Sequence, residues 1–235
     1  MSKEVRVFVY QRAAHSESIE HVHSQFFEKL VKLPDPVFKG LSVPPTPDCG
    51  DDLSADYSFK HPEIEGLHFE GRYIFRGESH EYQDKARFDD LFSAIFTLPS
   101  KEIDYKTFLL NSFPELIKAF SAYRAIAAYD NYDVKLSGLS SNRDPVYAEI
   151  LKTGRDMNGR DNIFTLRPAQ FWDETLCQKA LGYGPEEVIA RLNGKIPKVE
   201  KLLNGVYVVL ETNPDLTLDQ YFEMNRQFKE ILHLR

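Results

Sequence analysis

The residues best equipped for chemistry are Glu78, His80 and Glu81 in the run G-E-S-H-E, where two carboxylates flank an imidazole. Such a trio can supply a general base or bind a metal. A charged turn between strands is the commoner setting for it, with all three groups in solvent. His15, His21 and His23 invite a metal reading as well. Residues two apart diverge by about 200° around a helix, so His21 and His23 do not face one ion together. Metal-binding helices space their ligands four apart, and these histidines therefore read as exposed or capping groups. Cys49 and Cys177 are far apart with no CxxC spacing, which argues against a zinc site and a disulfide. The segment 153–161, T-G-R-D-M-N-G-R-D, has the glycines and arginines of a phosphate loop but not its Gly-Lys-Ser/Thr ending, and reads as a mobile surface turn. Arg124, inside an apolar stretch, must pair with a carboxylate or reach solvent, and a structural ion pair is the expectation.

The remaining chemistry is electrostatic. The formal charge is −7, which disfavours a nucleic-acid-binding surface and suits a basic protein partner. Most of it lies between residues 46 and 70, where Asp48, Asp51, Asp52, Asp56, Glu63, Glu65 and Glu70 face the single base Lys60. A run of charge is usually a solvated face. Its functional reading is a patch that steers a cationic partner, with Asp48, Asp51, Asp52, Asp56, Glu63 and Glu65 as the binding residues. No cofactor or metal is expected. No apolar run approaches the length of a bilayer span and the first residues carry no apolar signal region, so the expected compartment is the cytoplasm.

The elements that must position these groups follow from periodicity. Residues 5–10 alternate as a strand, and Ser16 or Ser18 caps an amphipathic helix through Ile19, Val22, Phe26, Phe27 and Leu30. Residues 33–52, rich in proline, form a long loop. Residues 57–59 and 67–75 pair as a hairpin across 62–66. Residues 89–98 fit a short helix or a buried strand equally. A helix over 105–111 is interrupted by Ser112 and Pro114. The most apolar stretch, 113–129, begins as a helix and turns into a strand near residue 124, ending in a turn at Asp130 and Asn131. Further strands are expected at 132–136, 162–171 with its centre at 163–167, and 205–210. Further helices are expected from Pro145, over 174–181, from Pro185 to Leu192, over 196–203, and after Thr217 or Asn213. The fold class is α+β, a mixed and mostly antiparallel sheet with helices packed against it. One domain spans 1–235, with 137–160 the place for a sub-division.

The runs F-P-E-L-I-K-A-F-S-A-Y-R-A and D-E-T-L-C-Q-K-A-L-G-Y-G-P-E-E-V-I-A-R-L-N-G, followed by L-L-N-G-V-Y-V-V-L, resemble immunity protein family 52 of bacterial polymorphic toxin systems. The resemblance implies a cytoplasmic antitoxin, not an enzyme. Its partner would be a cognate secreted toxin, often a nuclease of restriction-endonuclease-like fold delivered by a type VI secretion system, with no nucleic acid or membrane bound directly. Two other classes stay open. One is a hydrolase using Glu78, His80 or Glu81; the other is a chaperone-like module for a secreted effector.

Overall fold

Strands in this chain form where valines and aromatics alternate, and in β1 (Lys3–Arg12) Val5, Val7 and Val9 are fully buried between less buried neighbours. The computed structural model describes residues 3–14, 16–49, 53–76, 85–129, 132, 135 and 145–234. The chain divides into two compact units, Met1–Ala125 and Ile126–Arg235. The class is α+β, as expected.

In the first unit α1 (Ile19–Leu30) starts at Ser18, whose hydroxyl accepts the His21 N–H, so Ser18 and not Ser16 is the cap. A hairpin of β2 (Ser54–Lys60) and β3 (His68–Ile74) pairs antiparallel with β4 (Asp89–Leu98), which pairs antiparallel with β1, in the order β2-β3-β4-β1. β4 is the segment that periodicity left undecided. Phe92, Ala94 and Phe96 lie on one face and Ser93 and Ile95 on the other, and all five are buried, so no period separates its two sides. One face of this sheet is an aromatic layer under α1: Phe26 meets Phe92 and Phe120 edge-on at 4.7 and 4.8 Å, and Phe69 stacks on Phe92 at 5.7 Å.

Helix α2 (Tyr105–Thr107), capped by Asp104, runs through a wide turn at Phe108–Ser112 into α3 (Phe113–Ala119) without the expected break. The wide turn explains the continuity. The Phe113 N–H reaches back five residues to Phe108 O, and Pro114 follows where its missing N–H and bulky ring are accommodated. Ser112 is buried and donates to Asp35 at 2.6 Å. β5 (Arg124–Tyr129) then follows, as expected for this stretch. The expected turn at Asp130 and Asn131 lies outside the described residues, as does most of the expected strand 132–136. Tyr132 and Lys135, the two described positions there, are helical.

In the second unit α4 (Pro145–Thr153) begins at its predicted proline. β6 (Ala169–Asp173) takes only the end of the strand expected over 162–171, and its first part, 163–167, is not an extended strand. The reason is that side chains take the hydrogen bonds a strand partner would have made. Asn158 Oδ1 accepts from the Phe164 and Thr165 N–H groups, and Asn225 clamps Leu166 with one accepted and one donated bond, both 2.8 Å. The segment 153–161 begins at the surface, with Thr153, Gly154 and Arg155 exposed, and ends packed: Asn158 bridges to Ile163 and Arg160 is buried. Asp173 caps α5 (Glu174–Leu181), which ends at left-handed Gly182, and α6 (Pro185–Leu192) follows. The short helix expected over 196–203 is instead β7 (Lys198–Leu202), paired antiparallel with β8 (Gly205–Val209). Lys198 and Glu200 pair at 2.9 Å on one face, the two-residue spacing of a strand, and the open valine-rich edge of β8 outweighs the local helical pattern. β8 also pairs with β6, giving the order β6-β8-β7. Gly205 is required there, because a Cβ would stand 2.1 Å from the Trp172 carbonyl oxygen. Thr217 and Gln220 form a reciprocal cap for α7 (Leu218–Leu232).

Phe120, 2% exposed, joins α3 to the aromatic layer. Phe120→Ala is expected to lower unfolding free energy by about 3–5 kcal/mol in a denaturant titration. A loss under about 1 kcal/mol would show that the layer closes without it.

Candidate functional site

The acidic stretch maps onto the β2–β3 hairpin and the loop before it. Asp48 is exposed and lines a pocket of about 430 Å³ with Ser18, Ile19, Pro47, Phe75 and Arg76. Asp51 and Asp52 lie outside the described residues. Asp56 is exposed on β2, but β3 sets Arg72 directly opposite, and their ion pair closes at 2.7 Å. So exposed a pair is worth about 0–1 kcal/mol, yet it neutralises Asp56 as a long-range charge. Glu63 and Glu65 are exposed in the turn between the strands, and no cation pairs with them among the described residues. The cluster is thus not one uniform patch: Glu63 and Glu65 are exposed at the tip of the hairpin, and Glu70 on β3 lies 3.9 Å from the His68 ring.

Two groups that sequence reading did not connect fix this hairpin. Asp90, 1% exposed, accepts the Ile74 N–H at 2.9 Å and both terminal nitrogens of Arg76, holding the end of β3 against β4. His23 was expected to be exposed and is 1% exposed. It lies three and four residues before Phe26 and Phe27, on the apolar stripe, and that spacing was the available signal. Its Nε2 lies 2.9 Å from the Pro44 carbonyl, which only accepts, so Nε2 carries the proton. Nδ1 is then the acceptor for the Tyr73 hydroxyl at 3.2 Å, and Tyr73 accepts from Tyr57 at 3.1 Å. Burial lowers the His23 pKa, partly opposed by the bond to Pro44, and raises those of Tyr57 and Tyr73. The chain of bonds ties the proline-rich loop to α1 and to the hairpin. Tyr57 reaches it because its ring lies across Gly71, the residue opposite, where a Cβ would stand 2.0 Å from the ring.

The hairpin turn has a similar lock. His61 Nδ1 accepts the N–H groups of Glu63 and Ile64 at 3.0 and 2.9 Å, which orients the turn bearing the two glutamates, and burial lowers its pKa too.

Glu78, His80, Glu81 and His15 lie outside the described residues, and among the described residues no three His, Cys, Asp or Glu side chains form a metal-sized group. Cys49 and Cys177 are free thiols, both buried, and burial with Asp173 beside it pushes Cys177 up to about 12. Arg124 is buried with its guanidinium 3.8 Å above the Tyr10 ring, a cation–π contact in addition to whatever else it meets. No described helix is long and apolar enough to cross a membrane.

No family model matches the chain, and no curated protein matches it in sequence. Its fold is similar to that of the Pseudomonas aeruginosa T6SS protein PA0821. The TM-score is 0.54 at 13% identity, over 99% of this chain and 76% of that one. At that identity the likeness establishes the fold.

Because the folded state lowers the pKa of His23 and His61, their neutral forms are the ones the fold holds. Stability is expected to be flat above the unfolded-histidine pKa of about 6.5 and to fall as pH drops below it, when the unfolded chain binds more protons. Denaturant midpoints between pH 5 and 8 check this. A His23→Gln variant should reduce the slope below pH 6.5, and an unchanged slope would remove His23 from the effect.

Proposed function

We propose that this chain is a type VI secretion-associated immunity protein of the family 52 kind, which acts in the cytoplasm by binding and neutralising a cognate secreted toxin. The observation that carries the reading is the fold likeness to a T6SS protein over 99% of the chain. The immunity-family part of the proposal comes from the resemblance of residues 113–125, 173–194 and 202–210, which no family model matches. It is a binding function, not an enzymatic one. The toxin is a nuclease of restriction-endonuclease-like fold, whose nucleic-acid-binding surface is basic and therefore complementary to the acids at the hairpin tip and the preceding loop.

Co-expression with the product of the adjacent gene tests this. Cells are expected to survive and the two proteins to co-purify; no rescue and no complex would overturn the reading. Within the complex, Glu63→Lys with Glu65→Lys is expected to slow association by about tenfold at low salt and to flatten its salt dependence, as measured by stopped flow. An unchanged association rate would take the hairpin tip out of the interface.

A further inference from the structure

Among the described residues, the backbone of β2 is bonded on one side only. The Phe75 N–H bonds to Leu53 O at 2.9 Å and the His61 N–H to Leu67 O at 3.0 Å, which fixes the register so that residues 53, 55, 57, 59 and 61 turn their N–H and C=O groups toward β3. Ser54, Asp56, Ser58 and Lys60 therefore point theirs outward. β2 ends the strand order, and among the described residues no backbone group bonds to these four.

We propose that this open edge is the docking site itself, and that it takes an extended basic segment of the toxin as an additional strand; this rests on the immunity reading above. A segment of about seven residues matches Ser54 to Lys60, a span of about 20 Å. The ends of the edge define what that segment carries. At one end Leu53 and Phe75, paired across the hairpin, are 61% and 36% exposed and offer an apolar seat. At the other end Glu63 and Glu65 select lysine or arginine. A second copy paired antiparallel would bring its own Leu53 end, which carries no cation, beside Glu63 and Glu65, whereas a basic segment brings their complement. Main-chain bonds then supply affinity while the two ends supply specificity.

Amide hydrogen exchange on the full chain, alone and with the purified product of the adjacent gene, tests the proposal residue by residue. In the complex the Ser54, Asp56, Ser58 and Lys60 amides are expected to slow at least tenfold, while those of Ala55, Tyr57 and Phe59, already bonded to β3, change little. A complex in which the four outward amides exchange as before overturns this proposal and leaves the immunity reading standing. Absence of any complex overturns both. Slowing of the same amides in the chain alone as its concentration rises, with doubling of its mass, assigns the edge to self-association and overturns the partner named here. As a second arm, Ser58→Pro removes one outward N–H and leaves the inward ladder intact. It should weaken the complex at least tenfold with the outward-edge protection lost, and an affinity within twofold of the parent overturns the strand-addition geometry.

Discussion

A carboxylate with 1% exposure must be paired, and the pairing of Asp90 is the constraint on which the described surface depends. Its partners are the Ile74 N–H and the Arg76 guanidinium, both at the exit of β3. Removing one partner of such a buried pair typically costs about 3–5 kcal/mol, far more than the exposed Asp56–Arg72 pair a few residues away can offer. The first pair fixes where the hairpin stands, whereas the second sets only the charge it shows. The net acidity of the 46–70 stretch is therefore a poor guide to its field. Among the described residues Glu63 and Glu65 keep their charge without an ion-pair partner at the turn, where His61 holds the backbone in place.

The second constraint is the buried chain from Tyr57 through Tyr73 and His23 to Pro44. It couples three elements that hydrophobic contact alone would leave free to slide: a long loop, a helix and an edge strand. Glycine at position 71 is part of the same device, since only a residue without a side chain lets the Tyr57 ring cross the strand opposite. The result is an edge strand fixed in place, whose outward backbone groups have no backbone partner among the described residues. An isolated edge of this kind is a hazard in a protein with no use for it, and the charged side chains of Asp56 and Lys60 limit indiscriminate pairing.

Much of this architecture was legible in the sequence where one period dominates. β1, α1, the β2–β3 hairpin and α7 follow from alternation, from a serine or threonine cap and from a 3.6-residue stripe. The failures have physical causes. β4 is buried on both faces, so alternation vanishes. The 163–167 segment has strand composition, but Asn158 and Asn225 occupy its backbone groups. Residues 198–202 form a strand because β8 offers an apolar edge next to them, and no local window contains that information. At the site, the exposed acids could be read from composition, but their pairing could not, because Arg72 and Arg76 lie just beyond the acidic stretch and reach it only through the hairpin register. His23 on the apolar stripe was readable; its partners Tyr73 and Pro44 are set by tertiary structure.

The proposed neutralisation acts by binding, not by chemistry, and titrating the nuclease activity of the proposed toxin with this chain decides between them most directly. Binding predicts a linear loss of activity that is complete at a fixed molar equivalence, does not deepen with incubation time, and is reversed when the proteins are separated. Loss of activity that progresses at substoichiometric amounts and persists after separation would contradict it and identify the chain as an enzyme.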